Sequence, residues 1–338
     1  MTDRVTIADV AREAGVSMMT VSRVVNNKEG VSSATRQQVQ AVIDRLGYRP
    51  SDIARGLVTK RTGTLGLVIL DVSNPFFSEV ARGAEHVAYA EGYNVFLCNT
   101  EEDTDRELAV LGSLEEKRVD GVVLCSSRLR QSELEAAVAR HPAVVLVNRQ
   151  PDGINVGAVL IDDEVGGSIG TQHLLETGHQ AIGFLAGPPS SRSGRRRAKG
   201  YGAALVAAGL PRNPDWARHC SPTVEGGRET ARGLLRACPE LTALFCYNDL
   251  VAVGALQACA DLSHRVPEDI AVVGCDDIPL AALISPPLTT VRGPRYELGK
   301  QAMELLLRQI DGCPEGTDQN PCAEIVLQPE LVVRASAP

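Results

Sequence analysis

Ser17, Met18, Met19, Thr20, Ser22 and Arg23 fall within one short stretch, SMMTVSR, and the chemistry open to such a set is recognition of base edges in double-stranded DNA. The forked guanidinium of Arg23 matches O6 and N7 of guanine. Serine and threonine hydroxyls suit several base edges. Met18 and Met19 have no side-chain hydrogen bond to donate; each packs either on thymine methyls or back on its own domain. A reader of this kind needs a second helix to brace it. Residues 6–25, TIADVAREAGVSMMTVSRVV, have the helix-turn-helix spacing that supplies one. Ala11 stands where two helices touch, Gly15 stands at the turn where a positive φ is easiest without a Cβ, and Val21 and Val24 face inward one turn apart. The second helix then enters the major groove with its N-terminal residues leading.

The flanking residues place the helix ends. Thr6 with Asp9 forms a capping-box pattern, Ser17 is an N-cap for the second helix, and Ser32 or Ser33 opens a third. Val39, Val42, Ile43 and Leu46 give that third helix its buried stripe, Gly47 ends it, and Tyr48 packs inside the head. Pro50 breaks the third helix from the next segment. There Ser51 can cap a short helix through about Val58, too short to hold in water unless something packs on it.

Charge divides the chain. Residues 1–61 hold ten Lys/Arg and six Asp/Glu, net +4, so the remaining residues carry −12 to give the total of −8. A basic head on an acidic body suits a head that meets phosphates. The 338 residues imply two or three domains, and 44% apolar with only 4% aromatic content implies aliphatic cores. The polar N-terminus lacks a signal-peptide pattern and no run is long enough to span a membrane, so a cytoplasmic protein is expected. Nine cysteines at scattered spacings read as reduced core residues, and six histidines show no ligand spacing, so neither a metal nor another cofactor is expected.

From Thr64, apolar runs alternate with helix-period segments. The expected strands are Leu65–Leu70, Val95–Cys98, Gly121–Cys125, Val144–Val147 and Ala158–Ile161, then a second set at Ala181–Leu185, Ala243–Cys246, Ala271–Gly274 and Glu324–Leu327. Nine or ten continuous apolar strands between amphipathic helices imply two doubly wound parallel-sheet lobes, with a polar break near Asp162 and Asp163. Ligands then bind beyond the carboxyl ends of strands, in the cleft between lobes. GGSIG (Gly166–Gly170) has the GxSxG pattern, but Ser168 lies inside an expected helix and no histidine or acid is placed to help it, so no catalytic residue is assigned. Walker and dinucleotide glycine patterns are absent.

The chain resembles the lactose-repressor (LacI/GalR) family of bacterial transcription regulators. The resemblance runs through TIADVAxxAGVS (Thr6–Ser17), TVSRVVN (Thr20–Asn26) and LGYxP (Leu46–Pro50) in the head. In the body it runs through GLVI (Gly66–Ile69), SNPFF (Ser73–Phe77), RVDG (Arg118–Gly121), RxxGY (Arg197–Tyr201), Asn248-Asp249, GxDD (Gly274–Asp277) and PLTT (Pro287–Thr290). It implies an all-α helix-turn-helix head at 1–49, a hinge helix and linker at 50–62, and an α/β periplasmic-binding-protein-like body at 63–338. The first lobe would take about 63–162 and 292–322, the second about 163–291 and 323–338. By family position Thr6, Asn26, Ser32 and Thr35 contact phosphates, and Leu57, with Ala54 in the same hinge segment IARGL, enters the minor groove and wedges a base step. Phe76, Phe77 and Asn148 from one lobe, and Ser193, Arg197, Asn248 and Asp276 from the other, would bind a small effector such as a saccharide or derivative. Asp162, Asp163, Asp249 and Asp277 read as caps or structural acceptors. The family often has an aromatic near Ser221–Gly227, where this chain has SPTVEGG.

The implied protein is a homodimeric repressor of a pseudo-palindromic operator; no leucine heptad follows Leu331 to support a tetramer. Two other classes stay in view: a cytoplasmic sugar-binding protein without regulatory DNA binding, and a cleft enzyme. The run RSGRRR (Arg192–Arg197) departs from the pattern. Arg192, Arg195 and Arg196 either bind an anionic effector or form a solvated run facing water or the partner subunit.

Overall fold

The computed structural model describes residues 5–49, 61–312, 320 and 322–338. The chain divides into two units, Met1–Gly63 and Thr64–Pro338. In the first, α1 (Ile7–Glu13), α2 (Met18–Val25) and α3 (Ser33–Leu46) surround a core of Val10, Ala11, Ala14, Val21, Val24, Val39 and Val42. Ile43, Leu46 and Tyr48 pack against it half-buried. The Thr6 hydroxyl and the Asp9 carboxylate form the reciprocal capping box, and the Ser17 and Ser32 hydroxyls accept from the backbone N–H of Thr20 (3.1 Å) and Thr35 (3.2 Å). Gly15 and Gly47 both take φ of 63°, the left-handed conformation expected at the turn and at the end of α3. The Arg36 guanidinium ties α3 to the end of α2 by donating to Asn27 (3.0 Å) and to the Lys28 carbonyl (2.8 Å). The proposed hinge, with Ala54 and Leu57, lies outside the described residues.

The body has two sheets. The first lobe runs β1 (Thr64–Ile69), α4 (Pro75–Ala90), β2 (Asn94–Asn99), α5 (Thr104–Glu116), β3 (Gly121–Cys125), α6 (Gln131–Val138), β4 (Val144–Val147) and β5 (Gly157–Ile161). The second runs α7 (Asp163–Glu176), β6 (Ile182–Ala186), α8 (Arg192–Ala207), β7 (Ala217–His219), α9 (Val224–Ala237), β8 (Ala243–Cys246), α10 (Asp249–Asp261), β9 (Ala271–Cys275), α11 (Pro279–Leu283) and β10 (Thr289–Arg292). The chain then returns: α12 (Arg295–Asp311) packs in the first lobe, followed by β11 (Glu324–Leu327) and β12 (Glu330–Val332). The sheet orders are β11-β5-β4-β3-β1-β2 and β12-β10-β9-β8-β6-β7, parallel except where β12 meets β10. Three connections cross between lobes: β5 to α7, β10 to α12, and β11 to β12.

Two strand expectations are corrected. Glu324–Leu327 is expected in the second set, but β11 pairs in parallel with β5 from Glu324↔Ala158 to Leu327↔Ile161, so it edges the first sheet and the last crossing comes after Leu327. The strand total rises to twelve among the described residues because β7, β10 and β12 carry little apolar signal. β10 is the instructive one. Thr289 and Thr290 read as polar, yet both are fully buried. The Thr289 hydroxyl lies 2.9 and 2.8 Å from the Arg334 and Ala337 carbonyls, and the Thr290 hydroxyl donates to Asp249 at 2.5 Å. The cores are not wholly aliphatic: Phe184 stacks on Tyr201 and on Phe245 at 5.1 and 5.6 Å.

In three of the helix pairs that cover the sheets, both helices bring a glycine to the contact. A Cβ on Gly83 of α4 would stand 2.1 Å from the Tyr296 carbonyl oxygen of α12, and one on Gly299 of α12 would stand 1.9 Å from that of Val80. Gly167 and Gly200 do the same for α7 and α8, and Gly227 and Gly254 for α9 and α10. Backbone meets backbone, so no side chain can move aside. The glycines of GGSIG thus serve packing, and Ser168 sits inside α7 as expected. Gly299→Ala should therefore destabilise the body by about 1–3 kcal/mol or more in urea unfolding. Gly112→Ala, in the middle of α5 with open space at its Cβ, should instead stabilise by about 0.4–1 kcal/mol; equal effects would show that the close helix approach tolerates a methyl.

Candidate functional site

In the head, the start of α2 presents Met18 and Met19 outward, 56% and 66% exposed, so neither packs into the core. Ser17, Ser22, Arg23 and Asn26 lie on or beside the same helix, and Ser17, Arg23 and Asn26 are exposed. Several hydroxyls and amides are already oriented. Ser17 Oγ lies 2.9 Å from Thr20 Oγ1, Ser32 Oγ lies 2.9 Å from Thr35 Oγ1, and Asn26 Nδ2 donates to the Ser22 carbonyl at 2.8 Å. The Thr6 hydroxyl donates to Asp9. The face therefore offers a guanidinium, two thioethers and a set of positioned polar groups. That is the composition of a base-reading helix with phosphate contacts around it.

In the body, the carboxyl ends of both sheets meet around a cavity of about 240 Å³. All seven residues expected there line it: Phe76, Phe77, Asn148, Ser193, Arg197, Asn248 and Asp276. Local structure places each. Phe76 and Phe77 open α4 behind the N-cap Asn74, edge to face at 5.2 Å. Asn148 follows β4 and takes φ of 51°; its Oδ1 accepts from the Ile161 N–H at 3.0 Å. Asn248 caps α10, its Oδ1 accepting from the Val251 N–H at 2.9 Å. Both amides spend their acceptor on the backbone and keep Nδ2 uncommitted on a residue that lines the cavity. Arg149, beside Asn148, turns away and donates to the Leu129 carbonyl.

Arg197 is the buried hub of the second lobe. Its Nε donates to Asp163 at 2.8 Å, its Nη1 to the Tyr247 carbonyl, and its Nη2 lies 3.5 Å from Asp276. The Tyr247 ring stacks 5.4 Å from the guanidinium carbon, and its hydroxyl lies 3.0 Å from Ser191 Oγ. Burial pushes the Asp276 carboxyl up to about 7, with the Arg197 charge opposing; burial likewise pushes Asp249 up to about 6, with its hydrogen bond to Thr290 opposing. Of the residues read as structural acceptors, Asp162 caps α7, Asp163 pairs with Arg197, Asp249 accepts from Thr290 and the Ile278 N–H, and Asp277 pairs with Arg292 and Arg334.

The cavity also holds residues that sequence reading passed over: Asp71, Glu101, Glu102, Ser126, Arg128 and Tyr247. Asp71 follows β1, Glu101 and Glu102 follow β2, Ser126 follows β3 and Tyr247 follows β8. The rule that ligands sit beyond strand carboxyl ends was the available signal. Glu101, Glu102, Ser126, Asn148 and Asp276 all have positive φ, so backbone strain is gathered around this one space. Arg128 pairs with Glu102 through Nε (2.6 Å) and Nη2 (3.0 Å). At Ser221–Gly227 the lining is Pro222 and Thr223, and the ring expected there comes instead from Tyr247. The arginine run points elsewhere. Arg192 pairs with Asp152 and Gln150, Arg195 donates to the Pro189 carbonyl, and Arg196 lies 3.6 Å from both Asp162 and Glu164.

A pH dependence follows from Asp276. Folding raises its pKa from 3.8 to about 7, so the folded state holds a proton that the unfolded chain has released. The stabilisation is complete below about pH 4 and is lost as pH rises through 7. Asp276→Asn carries no such proton. In thermal unfolding, its stability relative to wild type should climb between about pH 4 and pH 7 by up to about 1.4 kcal/mol per unit and level off above; a level difference throughout would mean that Asp276 stays ionised against Arg197.

Residues 6–51 match the family model of bacterial regulatory proteins of the lacI family, and residues 62–326 match that of periplasmic binding proteins and the sugar binding domain of the LacI family. The chain is 38% identical over 306 residues to the HTH-type transcriptional repressor PurR of Aliivibrio salmonicida, covering 90% of this chain and 92% of that one. It is 37% identical to catabolite control protein A of Priestia megaterium, covering 91% and 93%. Among solved structures, a lac repressor dimer bound to operator and the anti-inducer ONPF superposes with a TM-score of 0.88 at 29% identity over 99% of both chains. With two motifs on one chain, a base-reading head and a strained inter-lobe cavity, and with both family models covering them, this chain belongs to the LacI family of bacterial transcriptional regulators.

Proposed function

We propose that the protein is a homodimeric operator-binding repressor whose grip on DNA is set by a saccharide or related polyol held between its lobes. The observation that carries this reading is the pairing of the exposed α2 face with a cavity that has an aromatic wall, free amide donors and a buried arginine–carboxylate pair. An aromatic face packs on a sugar's C–H surface while amides and carboxylates fix its hydroxyls. Among solved relatives, the regulator CelR was determined in complex with cellobiose (34% identity, TM-score 0.73, 98% of this chain and 100% of that chain).

Ligand binding at residues from both lobes changes the angle between them, and the three connections carry that change toward the hinge. The hinge helix, Leu57 included, is the bistable element of the scheme, ordered on DNA and released from it. Coupling of about 1–3 kcal/mol corresponds to roughly a 5–150-fold change in operator affinity.

The cleft binds its ligand without turning it over. No histidine or cysteine lines it, its two arginines are engaged with carboxylates, and its serines have no base beside them among the described residues. No helix among the described residues is long and apolar enough to cross a membrane.

Two measurements test the reading. Arg23→Ala should weaken operator binding in a fluorescence anisotropy titration by about 1–3 kcal/mol and relax preference at one base pair; a uniform loss across sequences would make Arg23 a phosphate contact. Asp276→Ala should keep DNA binding and lose the effector response; an intact response removes Asp276 from the site.

A further inference from the structure

We infer that the cleft selects its ligand by charge, taking an uncharged polyhydroxyl compound and excluding sugar phosphates and sugar acids, with Asp71 and Glu101 as the residues that exclude them. The inference rests on the reading of this cavity as the effector site. Four carboxylates line the cavity, Asp71, Glu101, Glu102 and Asp276, against two guanidinium groups, Arg128 and Arg197. With Asp276 only partly ionised near neutral pH, the lining still carries more than one negative charge in excess when both arginines are counted. Neither arginine is available to an anion. Arg128 is bound by both nitrogens of its fork to Glu102, and Arg197 is enclosed by Asp163, Asp276 and the Tyr247 carbonyl.

Asp71 and Glu101 stand apart from these pairs. Asp71 Oδ1 accepts from the Ser73 N–H (2.9 Å) and hydroxyl (2.7 Å), neutral donors that leave its charge uncancelled. Glu101, 62% exposed on a left-handed backbone after β2, pairs at 2.8 Å with Arg106, a cation that does not line the cavity. An anion entering the cavity meets these two charges without an unengaged cation among the described lining residues to offset them. A hydroxyl meets the opposite situation: carboxylates accept its hydrogen bond, and the uncommitted Nδ2 groups of the buried Asn148 and Asn248 donate to its oxygen. The arginine-rich start of α8, the one feature that suggested an anionic ligand, is spent on Asp152, Gln150, Asp162, Glu164 and a backbone carbonyl.

The test uses the full-length protein and matched probes at constant ionic strength: glucose with glucose 6-phosphate and glucuronate, and ribose with ribose 5-phosphate. Binding is read by thermal shift and isothermal titration. No phosphate or acid should bind wild type at millimolar concentration, and the double variant Asp71→Asn, Glu101→Gln should gain binding to at least one of them, or bring it about tenfold closer to its uncharged parent. Glu101→Lys alone should give the same gain without touching the Ser73 contacts. A phosphate or acid that binds wild type as well as its parent overturns the inference, and so does a folded variant set that gains nothing. Charge-selective binding that leaves operator affinity unchanged would spare this inference and remove the regulatory reading instead.

Discussion

A guanidinium taken out of water must be matched, and the second lobe is arranged around that requirement at Arg197. Its three directions are answered by Asp163 at the start of α7, by the Tyr247 carbonyl after β8 and by Asp276 after β9. These elements reach the same point because Gly167 lets α7 lie against the Arg197 backbone, where a Cβ would stand 2.2 Å from its carbonyl oxygen. Charge pairing and close packing are thus one constraint. The pair is not chiefly a source of stability, since burying both charges costs about as much as their attraction returns. What it secures is position: Asp276 is held at the cavity in a strained conformation, φ of 126°, that no local preference would choose.

The first lobe solves the same problem with different parts. Arg128 is matched by Glu102, and its backbone N–H donates to the buried Glu107, whose carboxyl burial pushes up. Both hubs line the one cavity, and the Tyr247 ring lies over Arg197 there. A ligand entering between them meets a lining in which each arginine already has a partner. Affinity and discrimination must then come from residues with capacity left over: the amide nitrogens of Asn148 and Asn248, and the carboxylates of Asp71 and Glu101, which no arginine of the lining pairs. The reciprocal glycine contacts behind the sheets hold three helix pairs backbone to backbone.

The head depends on none of this. Its three helices are specified by local signals, a capping box at Thr6 and Asp9, serine caps at Ser17 and Ser32, and left-handed glycines at 15 and 47. Its core is seven small or β-branched residues. Exposed methionines at the leading end of α2 are a poor choice for a merely structural helix and a reasonable one for a surface that meets thymine methyls.

Taken alone, the amino-acid order determined what depends on neighbours a few residues away. Caps and turns of the head and the alternation of buried strands with amphipathic helices were legible because hydrogen bonding and periodicity act over three or four residues, whereas Phe76, Asn148, Arg197, Asn248 and Asp276 were singled out only by family resemblance. Tertiary structure alone decided that Glu324–Leu327 returns to the first sheet, that Thr289 and Thr290 can be buried, and that Arg192, Arg195 and Arg196 are spent outside the cavity. It alone decided which carboxylates of the lining pair with a lining arginine and which do not. The physical reason is common to all of these. Each outcome depends on a partner far along the chain, and a polar side chain's role is set by that partner, not by its own type.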